Sequence, residues 1–126
     1  MATFKKFEDI AAWQDARRLT AAIYQVSSVG GFARDYPLRD QMRRACISIM
    51  SNIAEGFERS SPASFHHFLS IAKGSAGEVR SQLYVAYDEA YIDQATFDDL
   101  YQQTTSIIKQ VAGLMHYLRR HRAATS

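Results

Sequence analysis

The chain has 126 residues, a formal net charge of +2, and a composition that is 47% hydrophobic and 12% aromatic, with a single cysteine. That length suits one packed domain, taken as 1–126, and the apolar content argues against disorder outside the ends. One cysteine excludes an internal disulfide and fits a reducing cytoplasm. No stretch approaches the roughly 18 apolar residues of a membrane span, and the opening MATFKKFEDIAAW has no apolar run of signal-peptide length.

Apolar residues recur at threes and fours throughout, and no β-type alternation occurs. Phe7, Ile10, Trp13, Ala16, Leu19, Ile23 and Val26 predict a first helix over about 8–28, with Glu8 and Asp9 at its positive end and Gly30-Gly31 stopping it. Asp35-Tyr36-Pro37 opens a second helix over about 37–58, with Pro37 in the first turn, where its missing N–H costs nothing. Ser61 as cap and Pro62 at the first position open a third, over about 62–90. Asp93 is the expected cap of a fourth, about 94–121, whose Phe97, Tyr101, Thr104, Ile108, Val111, Met115 and Leu118 form a heptad-like seam. Four long amphipathic helices with short links predict an all-α fold, an antiparallel up-down-up-down four-helix bundle.

Two of these helices carry a second line beside the apolar one. Leu38, Met42, Ala45, Ile49 and Ile53 fall within about 80° on a helical wheel. Along their edge run Gln41, Arg44, Ser48, Asn52, Glu55 and Arg59; on the next helix Ser75, Glu78 and Gln82 flank the stripe Phe65, Leu69, Ala72, Ala76, Val79 and Leu83. An ordinary surface helix scatters its polar residues over its whole back. Charges placed this close to a core must be paired, so the lines predict a hydrogen-bonded network between helices or subunits; a lined groove is the alternative. Arg44, Glu55 and Glu78 supply neither nucleophile nor metal set, so no catalytic residue is assigned. The mid-helix Gly74-Ser75-Ala76-Gly77 is expected to allow close packing.

No metal site or cofactor is expected. His66 and His67 are adjacent and point about 100° apart on a helix, and no Glu-x-x-His pair of the di-iron type occurs. Cys46 reads as a small buried residue. The C-terminal Tyr117-Leu118-Arg119-Arg120-His121-Arg122 is basic, while five acids and no base lie between Ser81 and Ile108. The helix dipole favours a basic end in any case; multiplied in an oligomer, that end becomes a phosphate-binding surface. Candidate nucleic-acid contacts are Arg119, Arg120, Arg122, Lys109, Arg39 and Arg43. Tyr84, Tyr87, Tyr91, Tyr101 and Tyr117 are placed either at subunit contacts or on the rim of the chain's own core.

Gln41-Met-Arg-Arg-Ala through Ser48, Asn52-Ile-Ala-Glu-Gly56 with Arg59, and Phe68-Leu-Ser-Ile-Ala-Lys-Gly-Ser75 with Glu78 and Gln82 carry a family resemblance. They resemble the four-helix-bundle proteins encoded in 23S ribosomal RNA intervening sequences. The likeness runs from about Phe7 to Arg120. That family is similar to the accessory protein of diversity-generating retroelements, a strongly basic, barrel-shaped homopentamer that binds nucleic acid and a reverse transcriptase. The resemblance implies a homopentamer without enzymatic activity, and a structural role for the matching polar residues. The expectation is a cytoplasmic, non-enzymatic binding or scaffold protein that contacts RNA or DNA, or a ribonucleoprotein, through a basic rim of helix ends, with no membrane partner. The alternative is a structural ring that grips a protein partner and has no nucleic-acid role. An enzyme built on Arg44, Glu55 and Glu78 is the least favoured class.

Overall fold

The computed structural model describes residues 4–125 and is helical throughout, with no strand among them. The elements are α1 (Ala11–Val26), a short α2 (Gly30–Arg34), α3 (Tyr36–Glu58), α4 (Pro62–Asp88) and α5 (Gln94–Thr125). A single 3-10 turn, Phe7–Asp9, precedes them.

Three helix starts obey the capping chemistry of the sequence. The Asp35 carboxylate accepts from the Leu38 amide at 3.2 Å, the Ser61 hydroxyl from the Ser64 amide at 3.1 Å, and the Asp93 carboxylate from the Thr96 amide at 2.8 Å. Each satisfies one of the orphan N–H groups at a helix start. Hydrogen bonds from the Thr96 side chain and backbone hold the Asp93 carboxyl below its ordinary value of 3.8. A depressed carboxyl stabilises the fold above that value, and the contribution fades as acid protonates it.

The first helix differs from its expected bounds. Asp9 folds back on the chain, its Oδ2 accepting from the Lys5 and Lys6 amides at 3.1 and 3.3 Å, and Ile10 is extended (φ −78°, ψ 119°). That side-chain competition replaces the first helical turn with a 3-10 turn, so α1 starts at Ala11. Gly30-Gly31 also does more than stop a helix. Gly30 takes φ +59°, and a Cβ on Gly31 would stand 3.0 Å from the Tyr91 ring. The pair opens α2, whose Phe32 is fully buried and stacks on Tyr91 at 5.3 Å.

Tyr91 fastens this corner. Its hydroxyl donates to Asp35 Oδ2 at 2.9 Å while Asp35 Oδ1 caps α3. The same bond raises the Tyr91 pKa above the ordinary 10, so the tie holds through neutral and mildly alkaline pH and is lost as the phenol ionises. The turn into Tyr91 closes α4 with Ala90 N–H to Tyr87 O and Tyr91 N–H to Ala86 O, both 2.9 Å, and puts Ala90 in the left-handed region at φ 62°.

α4 packs along α3 on one side and α5 on the other, and α1 lies against α3 and α5. Ile49, Ile53, Leu69, Val79 and Leu83 are wholly buried; each such side chain contributes about 1.5–3 kcal/mol. At Gly56 α3 lies tight against α4: a Cβ there would meet the Phe68 Cβ at 2.8 Å and the Phe65 ring at 3.0 Å. Gly74 and Gly77 make no such approach, since a Cβ on either would meet nothing within 4 Å, so close packing does not explain them. In α5 the deepest residues are Leu100, Thr104, Ile107 and Val111. Of the expected seam, Thr104, Val111 and Leu118 are buried while Phe97, Tyr101, Ile108 and Met115 form a half-buried edge; Leu100 and Ile107 widen the face, because α5 packs against both α4 and α1.

Two substitutions test these positions in opposite directions. Ala90→Gly relieves a left-handed alanine and is expected to add about 1 kcal/mol, raising the melting temperature by roughly 3–6 °C. Gly56→Ala is expected to destabilise by about 1–3 kcal/mol, because it forces a methyl into Phe65 and Phe68. Thermal unfolding followed by circular dichroism reads both.

Candidate functional site

The polar lines of α3 and α4 meet at one point and diverge elsewhere. Ser48 and Ser75, half-buried on facing helices, share a hydrogen bond of 2.8 Å. Asn52 Nδ2 donates to the Ser48 carbonyl at 2.8 Å and to its hydroxyl at 3.0 Å. The other pairs stay within one helix. Arg59 Nε donates to Glu55 Oε2 at 2.9 Å, with its guanidinium 5.0 Å from the Phe68 ring centre, and Gln82 Nε2 donates to Glu78 Oε2 at 3.2 Å. Gln41 and Arg44 are exposed, and their side chains make no hydrogen bond or ion pair among the described residues. The expected inter-helix network is thus one cross-helix bond flanked by exposed same-helix pairs. Hydroxyls are short enough to meet where the helices nearly touch, whereas the long side chains reach solvent instead.

One polar atom in this seam is unsatisfied. Gln82 Oε1 is buried without a hydrogen-bond partner, a state that costs about 1–3 kcal/mol when nothing compensates it. Ile71, Ser75, Glu78 and Gln82 step by 4, 3 and 4 and so share one face of α4. On that face Ile71 remains 39% exposed, and Ile47 of α3 remains 44% exposed.

The six candidate nucleic-acid contacts do not form one patch. Arg119 and Arg120 are exposed at the C-terminal end of α5, and neither enters an ion pair among the described residues; the side chain of Arg122 lies outside them. Beside this end is a cavity of about 320 Å³ lined by Phe4, Phe57, Phe65, Tyr117 and His121 and by the Ser60–Pro62 turn. Tyr117 and His121 stack at 3.6 Å. Lys109 is exposed more than two turns earlier on α5.

Arg39 and Arg43 belong to the opposite end, with the Asp35–Tyr91 corner. Arg39 donates to the Ala33 carbonyl and to Asp40, both at 2.9 Å, and lies over the Tyr36 ring. Arg43 donates to Ser27 Oγ at 3.0 Å and Ser28 Oγ at 3.1 Å, 4.4 Å from the Tyr24 ring centre. These two tie α3 to the neighbouring helix ends. Beside Asp40 and Tyr36 of α3 itself, their partners are the Ala33 carbonyl, the Ser27 and Ser28 hydroxyls and the Tyr24 ring of the α1–α2 segment, which spacing along the chain does not reveal.

Cys46 is wholly buried, and burial pushes its thiol up to about 12, so it stays protonated and unreactive at neutral pH. No group of three or more His, Cys, Asp and Glu able to hold a metal ion occurs among the described residues. Among the described residues no helix is long and apolar enough to cross a membrane.

Four long helices packed through apolar stripes, with hydroxyls bonded across the α3–α4 seam, define an all-α helical-bundle protein. The chain belongs to the 23S rRNA-intervening sequence protein family, which it matches over residues 8–113. Its fold is also similar to the crystal structure of a protein of unknown function from the S23 ribosomal protein family of Bacteroides thetaiotaomicron. The two are 21% identical with a TM-score of 0.77, over 83% of this chain and 95% of that one. No curated protein matches the sequence.

The seam gives a thermodynamic test. Ser48→Ala and Ser75→Ala are each expected to cost about 1 kcal/mol, and the double variant less than their sum by about 0.5 kcal/mol or more. Denaturant unfolding of the four proteins measures that coupling; strict additivity would remove the bond from the account.

Proposed function

We propose that this protein is a non-enzymatic cytoplasmic scaffold, an up-down-up-down four-helix protomer of a homo-oligomeric ring. In this reading the basic ends of its α5 helices contact RNA or a ribonucleoprotein. The observation that carries the reading is the pairing of charge with aromatic lining at one end of the bundle. Arg119 and Arg120, in no ion pair among the described residues, stand beside a cavity walled by Phe57, Phe65, Tyr117 and His121. Phosphates bind cations through counterion release, and unstacked bases of single-stranded RNA stack on rings of this kind. The acids Asp88, Glu89, Asp93, Asp98 and Asp99 lie at or near the turn at the other end, where they do not oppose phosphates.

Self-association is supported by the seam. Ile71 shares the Ser75–Glu78–Gln82 face of α4 and, like Ile47 of α3, stays exposed to solvent. A neighbouring copy would cover this apolar surface. The five-fold count follows from the family resemblance.

Light scattering on the purified protein is expected to give five times the chain mass. On the same sample a gel shift with a structured RNA carrying single-stranded loops is expected to weaken as salt rises. Replacing Arg119, Arg120 and Arg122 together by Ala should lower affinity at least tenfold and make the salt slope shallower by about 0.7–0.9 for every phosphate no longer neutralised. Unchanged binding would remove the basic end from the mechanism, and a monomeric mass would remove the ring.

A further inference from the structure

The outer face of α4 and α5 at the end far from Arg119 carries a feature that RNA contact does not use. Tyr84 and Tyr87 of α4 and Phe97 and Tyr101 of α5 form one continuous ring cluster. Phe97 meets Tyr84 at 5.0 Å, Tyr87 at 5.4 Å and Tyr101 at 5.6 Å, and Tyr84 meets Tyr101 edge-on at 6.0 Å. The cluster is not core: Tyr84 is 50% and Tyr87 38% exposed. Large rings left in water within one patch mark an interaction surface.

Charge selects the partner. Between Ser81 and Ile108 there are five acids and no base. None of the five enters an ion pair among the described residues, whose ion pairs are Arg18–Asp15, Arg39–Asp40 and Arg59–Glu55. Asp88 lies one turn beyond Tyr84 on the same face of α4, and the exposed Asp98, one residue after Phe97 on α5, accepts from Gln94 Nε2 at 2.8 Å, so the rings share their end of the bundle with carboxylates of both helices. Phosphate is repelled here and a cation is attracted. The chain also shows how a guanidinium seats on the cluster, because Arg80 lies 5.3 Å from the Tyr101 ring centre at one edge and reaches Thr105 Oγ1 at 3.4 Å. Arginine suits such a site better than lysine: its flat, weakly hydrated guanidinium stacks on a ring while its edge bonds a carboxylate.

We propose that this aromatic–acidic face binds an arginine-bearing segment of a partner polypeptide, the guanidinium planes lying on Tyr84 and Tyr87 and their charge facing Asp88 and Asp98. The face is independent of the basic end, so both can be occupied at once.

Fluorescence anisotropy with the full chain and a labelled nine-residue peptide alternating arginine and serine tests the proposal, with the lysine–serine peptide as comparison. The arginine peptide is expected to bind at least about fivefold more tightly than the lysine peptide. Tyr84→Ala with Tyr87→Ala should weaken it about tenfold or more, and Asp88→Asn with Asp98→Asn should weaken it and flatten its salt dependence. Tyr84→Phe with Tyr87→Phe keeps the rings and should keep most of the affinity, which separates ring loss from misfolding; circular dichroism checks the helices. Equal binding of the two peptides with no response to the tyrosines would reduce the face to diffuse electrostatics and overturn the proposal, as would no binding at all. If the alanine pair instead changes the assembly mass in light scattering, the rings contact a second copy of the chain and the proposal fails. RNA binding should survive in every one of these variants.

Discussion

The close contact between α3 and α4 is the constraint on which the other helices depend. Two long helices can slide past each other by a turn with little change in buried apolar area. A hydrogen bond between two short hydroxyls cannot follow that slide, nor can a glycine set against two phenylalanines. Ser48 with Ser75 and Gly56 against Phe65 and Phe68 therefore fix one register. α5 then docks on α4 and α1 on α3, so an error in this pair would propagate to every other interface.

Helices with strong periodic stripes were legible in the sequence, and so were their caps, because Asp35, Ser61 and Asp93 act through bonds to amides only three residues away. The start of α1 was not legible, because Asp9 chooses between two local hydrogen-bonding patterns that periodicity does not distinguish. Nor was α2, whose five residues are too few to show a period and whose Phe32 owes its burial to Tyr91, far along the chain. The candidate site divides in the same way. The polar lines beside the core were visible as spacing, but spacing does not tell a residue that crosses to the next helix, such as Ser48, from one that turns to its own, such as Arg59. Arg39 and Arg43 read as free cations; their tertiary partners make them structural.

Charge in this molecule is arranged by position along the bundle more than by total. A net +2 conceals an α5 that begins among carboxylates and ends in arginines, which opposes the helix dipole with cations at its negative end. One small domain thus presents two chemically opposite ends, and averaging over its surface would describe neither.

Asp35 has a consequence for how the molecule moves. One oxygen of its carboxylate holds the first turn of α3 and the other holds the phenol that begins the link into α5. Fraying of α3 and loosening of the α4–α5 turn are therefore a single event, although fifty-six residues separate the partners. Amide hydrogens at the two places should exchange with solvent at matched rates, as one cooperative opening unit.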